Sequence, residues 1–406
     1  MLEKALMHNI FRRARNRTFV VTYPDGEKRR YRGDGDEDGR SRFHLIFKTP
    51  LGLRNLRTSP MLTLGEGYMD ERLDVDGNLC DVLDMGIDIM EDIRSQAAGR
   101  KEILARFLRR QKDADAGTRS EGVRHHYDIG NEFFSMWLDP TMTYSCAYFR
   151  SPEDSLELAQ EQKIDHILRK LSFEECQNLL DIGSGWAHLI MRAARNHGVR
   201  ATGVTLSEEQ LREARRRIRG AGLSDTVTVE LADFRELVNG EDKYDRIVSV
   251  GMFEHVGKEH ISEYFESVRH LLKPGGLSLL HTLTHPTEGP SNPWLEKYIF
   301  PWGYIPSVRE TLRHLPEFGF HLLDVESLRR HYALTTERWA DNFEDVHREV
   351  RRMYGERFVR MWRLFLSGCA VSFWRTGLDV HQILFSRGLN NDLPLTRDYM
   401  YPEDGV

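Results

Sequence analysis

Leu179-Leu-Asp-Ile-Gly-Ser-Gly-Trp-Ala187 is the stretch from which the fold of this chain is read. Its apolar run ends in Asp-Ile-Gly-Ser-Gly, the pattern of a buried strand breaking into a glycine turn. His188-Leu-Ile-Met-Arg-Ala-Ala-Arg195 then continues as a helix. A strand, a turn with little side-chain bulk and a helix N-terminus make a cradle for a nucleotide-like ligand, because free backbone N–H groups and the helix dipole face it. Gly-x-Gly alone is weak, since many turns carry that spacing for backbone reasons only.

The surrounding segments add what the turn lacks. From Asn178 onward, strand candidates at Leu179–Ile182, Ala201–Thr205, Val227–Leu231, Asp245–Val250 and Leu277–His281 alternate with helical stretches, notably Ser207–Arg219 and Glu259–Leu272. Such alternation predicts an α/β fold, a parallel sheet with helices on both faces, and ligands outside the carboxyl ends of its strands. Gly183, Gly185, Trp186, Thr205, Leu206, Ser207, Asp233, Phe234, Glu254 and His281 all fall at or just past such ends. A nicotinamide-binding sheet would end its second strand in an acid for the ribose hydroxyls. Here it ends Gly203-Val-Thr-Leu-Ser207 with Gln210 one turn on, a departure from that pattern that still suits the ribose of a nucleoside. Asp233 offers an acceptor for an adenine amino group with Phe234 beside it; a solvated loop acid next to a core aromatic is the bland alternative.

The chain has 406 residues, enough for two domains. Its 57 Lys+Arg against 63 Asp+Glu give a net charge of −6, which does not suggest a nucleic-acid partner. No apolar run reaches the roughly 20 residues of a membrane span, and the N-terminus lacks the pattern of a signal peptide. Four cysteines, none in a Cys-x-x-Cys pair, point to a reducing compartment and away from a zinc site, so a cytoplasmic location is expected. Residues 1–17 set Leu2, Leu6, Ile10 and Ala14 on one helical stripe with Arg12, Arg13, Arg15 and Arg17 near its end. That helix either packs on its own domain or meets anionic lipid. Thr18–Tyr23, Pro24-Asp-Gly26 and Glu27–Arg32 read as a hairpin, Phe43–Lys48 as a strand, and Leu79 to about Gln111 as helical. Arg100–Lys112 is a second basic amphipathic segment, and Asp113–Gly122 is small, polar and glycine-punctuated. The expected division is therefore an N-terminal α+β domain over 1–112, a linker over 113–122 and a catalytic domain over 123–406.

His125-His-Tyr-Asp-Ile-Gly-Asn-Glu-Phe-Phe, Met142-Thr-Tyr-Ser-Cys-Ala-Tyr-Phe149, Leu180-Asp-Ile-Gly-Ser-Gly-Trp186, Gly203-Val-Thr-Leu-Ser207, Val250-Gly-Met-Phe-Glu-His-Val-Gly257 and His281-Thr-Leu resemble the cyclopropane fatty acid synthase family. Lys297-Tyr-Ile-Phe-Pro301, Tyr304-Ile-Pro-Ser-Val308, Tyr332 with Trp339, and Phe385-Ser-Arg-Gly388 extend the resemblance in order. Leu64-Gly-Glu-Gly-Tyr-Met-Asp70 is similar to the N-terminal domain of phospholipid-acting bacterial members, which shorter mycolic-acid-modifying relatives lack. The resemblance implies a Rossmann-like class I methyltransferase sheet and S-adenosylmethionine as cofactor, held by Tyr144, Ser145, Asp181, Gly183, Gly185, Trp186, Thr205, Leu206, Gln210, Asp233 and Phe234. It also implies phospholipid acyl chains at the inner membrane face as substrate, and a homodimer. The family turn commonly reads Gly-Cys-Gly-Trp-Gly-Gly, whereas this chain has Ser184, Ala187 and His188; the last is expected to be a surface or capping histidine.

Adding a methylene across a cis double bond puts a carbocation on the acyl chain, which must then lose a proton. A dry site, aromatic faces and one base meet those needs. Tyr144, Tyr148, Phe149, Phe253, Tyr304 and Tyr332 are the aromatic candidates. The resemblance assigns the base to a bound bicarbonate ion on Glu254, His281 and Tyr332, with backbone groups near Cys146 and Leu283. A carboxylate repels an anion unless a proton or a histidine bridges them, so Glu254 and His281 are expected to act as a pair. Alternatively, Glu254 is a helix-initiating acid and His281 a core histidine. The family also carries a cysteine at Cys369, sometimes given a nucleophilic role, although alkene methylation needs no covalent enzyme intermediate and Gly368-Cys-Ala-Val reads as an ordinary apolar helix. Methyl-branched products arise on the same scaffold when the cation shifts before losing its proton. An N-methyltransferase for small amines has no need of Glu254, His281 and Tyr332, and a lipid-transfer protein leaves the later motifs unexplained.

Overall fold

A computed structural model describes residues 2–34, 40–97, 129–289 and 291–401. The second basic segment, the linker and the start of the His125 motif lie outside the described residues. Among the described residues, no helix is long and apolar enough to cross a membrane.

The residues group into two compact units that are not contiguous in sequence. One gathers the N-terminal stretch with Gly289–Ile299 and Trp339–Thr376; the other holds the residues up to Glu288, then Phe300–Arg338 and the chain from Gly377. In the first unit, β1 (Phe19–Thr22), β2 (Lys28–Tyr31), β3 (Phe43–Phe47) and β4 (Leu73–Gly77) form a sheet in the order β2-β1-β3-β4. The β1–β2 hairpin turns at Pro24-Asp-Gly26, where Gly26 takes a φ of 82°. Phe19 stacks between Tyr31 and Phe43 at 5.0 and 5.2 Å, and the helix Leu2–Phe11 lays Met7 and Phe11 on this aromatic core. The buried face is thus Met7, Phe11 and Ala14, while Leu2, expected on it, is exposed. Arg13 pairs with Asp92, and buried Arg17 pairs with Asp84 and Asp88 of the helix Leu79–Ala97. Two of the four arginines offered to anionic lipid are therefore neutralised inside their own unit. The later segments are integral to this unit. A Cβ on Gly65 would lie 2.5 Å from the Trp294 ring, and Arg360, over the Tyr68 ring at 4.8 Å, donates to Asp74.

The second unit is built on a seven-stranded sheet in the order β10-β11-β9-β8-β5-β6-β7. The strands are β5 (Asn178–Ile182), β6 (Arg200–Thr205), β7 (Val227–Leu231), β8 (Tyr244–Val250), β9 (Leu272–Thr284), β10 (Phe320–Ser327) and β11 (Asp379–Arg387). The five expected strands are present, and β9 runs longer than expected. The sheet is not wholly parallel: β11 pairs antiparallel with both β9 and β10. Neither β10 nor β11 stands out locally, because their alternation is interrupted by charges and the helices between them dominate the pattern. Helices Glu208–Gly220 and Ile261–Leu271 cover the sheet as expected, the first capped by Ser207, whose hydroxyl accepts from Gln210 N–H. The centre is fully buried: Leu179, Leu180, Ile247, Val248, Leu279 and Leu280 have no exposed surface.

Candidate active site

All eleven residues assigned to the cofactor line one pocket at the carboxyl ends of β5, β6 and β8. The turn after β5 is shaped by close approach. Gly183 has a φ of 92°, and a Cβ there would come within 2.8 Å of the Met252 side chain. Gly203 on β6 admits the Ser184 side chain, which a Cβ would meet at about 2.6 Å. Ala187, in the left-handed region at φ 70°, precedes the helix His188–His197.

Each polar side chain in the pocket has a definable state. Asp181 is buried with Oδ1 unpartnered, and desolvation pushes its carboxyl up to about 7. Thr205 donates to Gln210 Oε1 at 2.8 Å, so the Gln210 amide presents its NH2 to a ligand. Asp233 is held by Arg235 through its side chain and backbone N–H, leaving it ionised and part-satisfied rather than free. Trp186 donates to Asn131 Oδ1 at 2.7 Å and stands against Phe134, which also packs on Tyr144. These acceptors, the glycine cradle and the unpartnered Asp181 oxygen fit an adenosine with an amino-acid end. His188 corrects an expectation: it is neither a surface histidine nor a cap, but lines the pocket with a buried, unpartnered Nε2 and a pKa lowered by desolvation to about 4.

A second cluster lies at the ends of β8, β9 and β11. Glu254 is in a short turn after β8, and its Oε1 accepts from Leu283 N–H at 2.5 Å and Thr282 Oγ1 at 3.1 Å. Of the backbone groups near Leu283 expected at a bound ion, the Leu283 N–H is therefore used by Glu254. Its Oε2 is buried without a partner, and desolvation raises the carboxyl above its ordinary range. His281 pairs across the ladder with Gln382, whose amide nitrogen lies 3.3 Å from His281 Nδ1. His281 Nε2 and Gln382 Oε1 are buried and unpartnered, and burial drives the imidazole well below its usual range, so it is neutral at pH 7. Glu254 and His281 share no hydrogen bond in the structure; Gln382, which sequence reasoning missed, is the histidine's partner. The His281 carbonyl accepts from Gly251 N–H at 2.9 Å, and Gly251 lines the cofactor pocket, so the two sites adjoin.

Cys146 is buried, its Sγ close to the Ala147 and Leu328 carbonyls, with burial pushing the thiol well up. Leu328 immediately precedes the helix Arg329–Tyr354, which carries half-buried Tyr332, and Leu328 N–H donates to the Val380 carbonyl of β11. Cys369 belongs to the first unit, on the helix Glu356–Arg375, and desolvation pushes its thiol up to about 12. A thiol so rarely ionised is a poor nucleophile. Of the aromatic candidates, Tyr148 is sandwiched between His166 and His331 at 4.4 and 4.6 Å, Phe253 is packed on Tyr264, and Tyr304 donates to Glu310. Only Tyr144 among them lines the pocket.

One antiparallel strand at β11 in an otherwise parallel seven-stranded sheet, with a glycine-lined pocket at the strand ends, defines a class I S-adenosylmethionine-dependent methyltransferase. Residues 114–383 match the mycolic acid cyclopropane synthetase family, and the chain belongs to it. Residues 6–93 match a domain family of unknown function, DUF7884. A cyclopropane-fatty-acyl-phospholipid synthase of Escherichia coli K12 is 38% identical over 87% of this chain and 90% of its own length. A probable fatty acid methyltransferase of Pseudomonas putida is 34% identical over 88% and 91%. Among solved structures, the cyclopropane synthase MmaA2 of Mycobacterium tuberculosis is 33% identical with a TM-score of 0.62, covering 66% of this chain and 98% of its own. The mycolic acid cyclopropane synthase CmaA1, solved with S-adenosylhomocysteine and CTAB, has the same identity, TM-score and coverage.

Proposed function

We propose that this enzyme transfers a methylene group from S-adenosylmethionine to the cis double bond of acyl chains in membrane phospholipids, forming a cyclopropane ring. The observation that carries the reading is a buried, incompletely satisfied Glu254–His281–Gln382 cluster adjoining the cofactor pocket. Amine methylation needs no such cluster. When bound, the cofactor supplies an electrophilic sulfonium methyl, which the alkene attacks to leave a cation that closes on loss of a proton. Tyr144 presents an aromatic face at the pocket wall, able to stabilise positive charge without a competing nucleophile. Neutral His281, Glu254 and Tyr332 would hold a bicarbonate ion, which supplies the base. Gln382 fixes the imidazole, and the buried surroundings exclude water. The chain works as a peripheral protein at the inner membrane face, with the first unit as its lipid-facing part.

A second reading, methylation to a branched chain, has specific support in the Pseudomonas putida relative, which matches nearly the whole chain. Lipid mass spectrometry of cells expressing the protein tests both readings. A gain of one CH2 on monounsaturated chains is expected, and gas chromatography against standards separates ring from methylidene branch. Unchanged lipids from a protein that binds S-adenosylmethionine would sink the lipid assignment.

A further inference from the structure

We propose that Lys163 is the counter-ion for the carboxylate at the amino-acid end of the cofactor, with Ser145 holding its ammonium in place. The inference rests on the pocket being the S-adenosylmethionine site. Lys163 lies on the helix Leu156–Leu171, whose inner face carries Leu156, Lys163 and Lys170 at seven-residue intervals. Both lysines are buried, and they differ in one respect. Lys170 is neutralised by Asp324 at 3.2 Å and Glu326 at 2.6 Å. Lys163 has a single hydrogen bond, to Ser145 Oγ at 2.8 Å, and among the described residues no carboxylate oxygen lies within 4.0 Å of it.

A buried ammonium without a counter-ion is unfavourable, so its presence calls for an anion that the described residues do not supply. Three titratable groups are near enough to be felt electrostatically, Cys146, Asp139 and Asp181; burial holds the Cys146 thiol protonated, so it supplies no negative charge. Asp139 is committed: its oxygens accept from Thr141 N–H at 2.9 Å, from the Thr141 hydroxyl and from Thr143 N–H at 3.2 Å. Asp181 lines the same pocket as Lys163 and keeps one oxygen unpartnered. Burial lowers Lys163 only to about 8, so it remains charged at neutral pH with donor capacity beyond the one used on Ser145. A cation and a carboxyl group poised to ionise near neutral pH, lining one pocket without pairing to each other, complement a zwitterion, whose ammonium favours the ionised carboxylate. The amino-acid end of the cofactor is such a group: its carboxylate matches Lys163 and its ammonium matches Asp181.

The test is the affinity of the full-length protein for S-adenosylhomocysteine and for 5′-methylthioadenosine, which lacks the amino-acid group, measured by calorimetry on wild type and Lys163→Met. The expected result is a loss of 10-fold or more for S-adenosylhomocysteine with methylthioadenosine affinity unchanged. The ligand-free variant should also melt no lower than wild type, since a buried charge has been removed. Equal loss for both ligands, or no loss for S-adenosylhomocysteine, overturns the proposal. Should the variant not fold, wild type is compared on S-adenosylhomocysteine and its carboxamide; equal affinities overturn it, and a 10-fold preference for the acid supports it. Wild type that binds no S-adenosylhomocysteine would refute the cofactor assignment itself, a failure distinct from any of these.

Discussion

Glu254→Gln separates chemistry from binding. Glutamine is isosteric, and its Oε1 can keep both bonds now made by Glu254 Oε1, from Leu283 N–H and Thr282 Oγ1. What is lost is the negative charge and the acceptor at Oε2. Removing a group that positions or activates a base reduces turnover by about 10²–10⁴-fold, or about 3–5.5 kcal/mol in the barrier. Stability should move the other way. The Glu254 carboxyl has its folded-state pKa above the ordinary value, so between those two values the folded state holds the proton more tightly than the unfolded one. Wild-type stability from this group falls as pH rises through that window, and glutamine removes the slope. Turnover on vesicles with monounsaturated chains, calorimetric affinity for S-adenosylhomocysteine and melting curves from pH 4.5 to 8 provide the three readouts. The expected outcome is near-loss of turnover, affinity within about threefold of wild type, and a melting advantage that grows with pH. Cofactor affinity falling in step with turnover would reassign Glu254 to cofactor binding. Turnover within about threefold of wild type would remove it from the reaction.

Gln382→Glu should place a carboxylate beside His281 Nδ1, raise the depressed imidazole pKa and move the acid limb of the pH–rate profile upward by a unit or more. Gln382→Met should lower kcat without moving that limb, and identical profiles for both would refute the positioning role. Cys369→Ser should keep at least half of wild-type turnover, because a thiol pushed up to about 12 contributes almost no thiolate; a loss above 100-fold would restore a catalytic thiol. Arg17→Met leaves Asp84 and Asp88, among the described residues, with Arg375 as their one remaining ion-pair partner, and should cost the first unit about 3 kcal/mol in urea denaturation; a change below about 0.5 kcal/mol would show that the pairs stabilise nothing.

The cofactor pocket was legible because strand ends leave local marks: an apolar run stopping at Gly183, at Thr205 or before Glu254 marks a carboxyl end wherever the strand sits in the sheet. Lys163 was legible in principle, as a cation on the apolar face of an otherwise amphipathic helix, but its meaning depends on what lies opposite. Gln382 was not legible, because its strand goes unrecognised and its partner is 101 positions away in sequence. His188 reads as a surface or capping residue because of where it stands on the helix, and only the fold shows that this position lines the pocket. The two-unit arrangement was partly legible. The polar stretch after residue 112 marks a change in composition, but nothing local announces that Trp339–Thr376 packs with the beginning of the chain, since that grouping comes from distant side chains such as Tyr68 and Arg360.

That grouping has a consequence for how the protein is made. A ribosome delivers the N-terminal sheet first, yet the helix that carries Arg360 and Arg375 emerges only after the whole β5–β9 run has been synthesised. Until then Tyr68 and Asp74 lack Arg360, and Asp84 and Asp88 have Arg17 but not the second arginine, Arg375, that meets them in the finished unit. A sheet made early in the chain is thus among the last parts to be completed, and a nascent chain stalled before residue 360 would present Tyr68 and Asp74 without Arg360 to the cell's folding machinery.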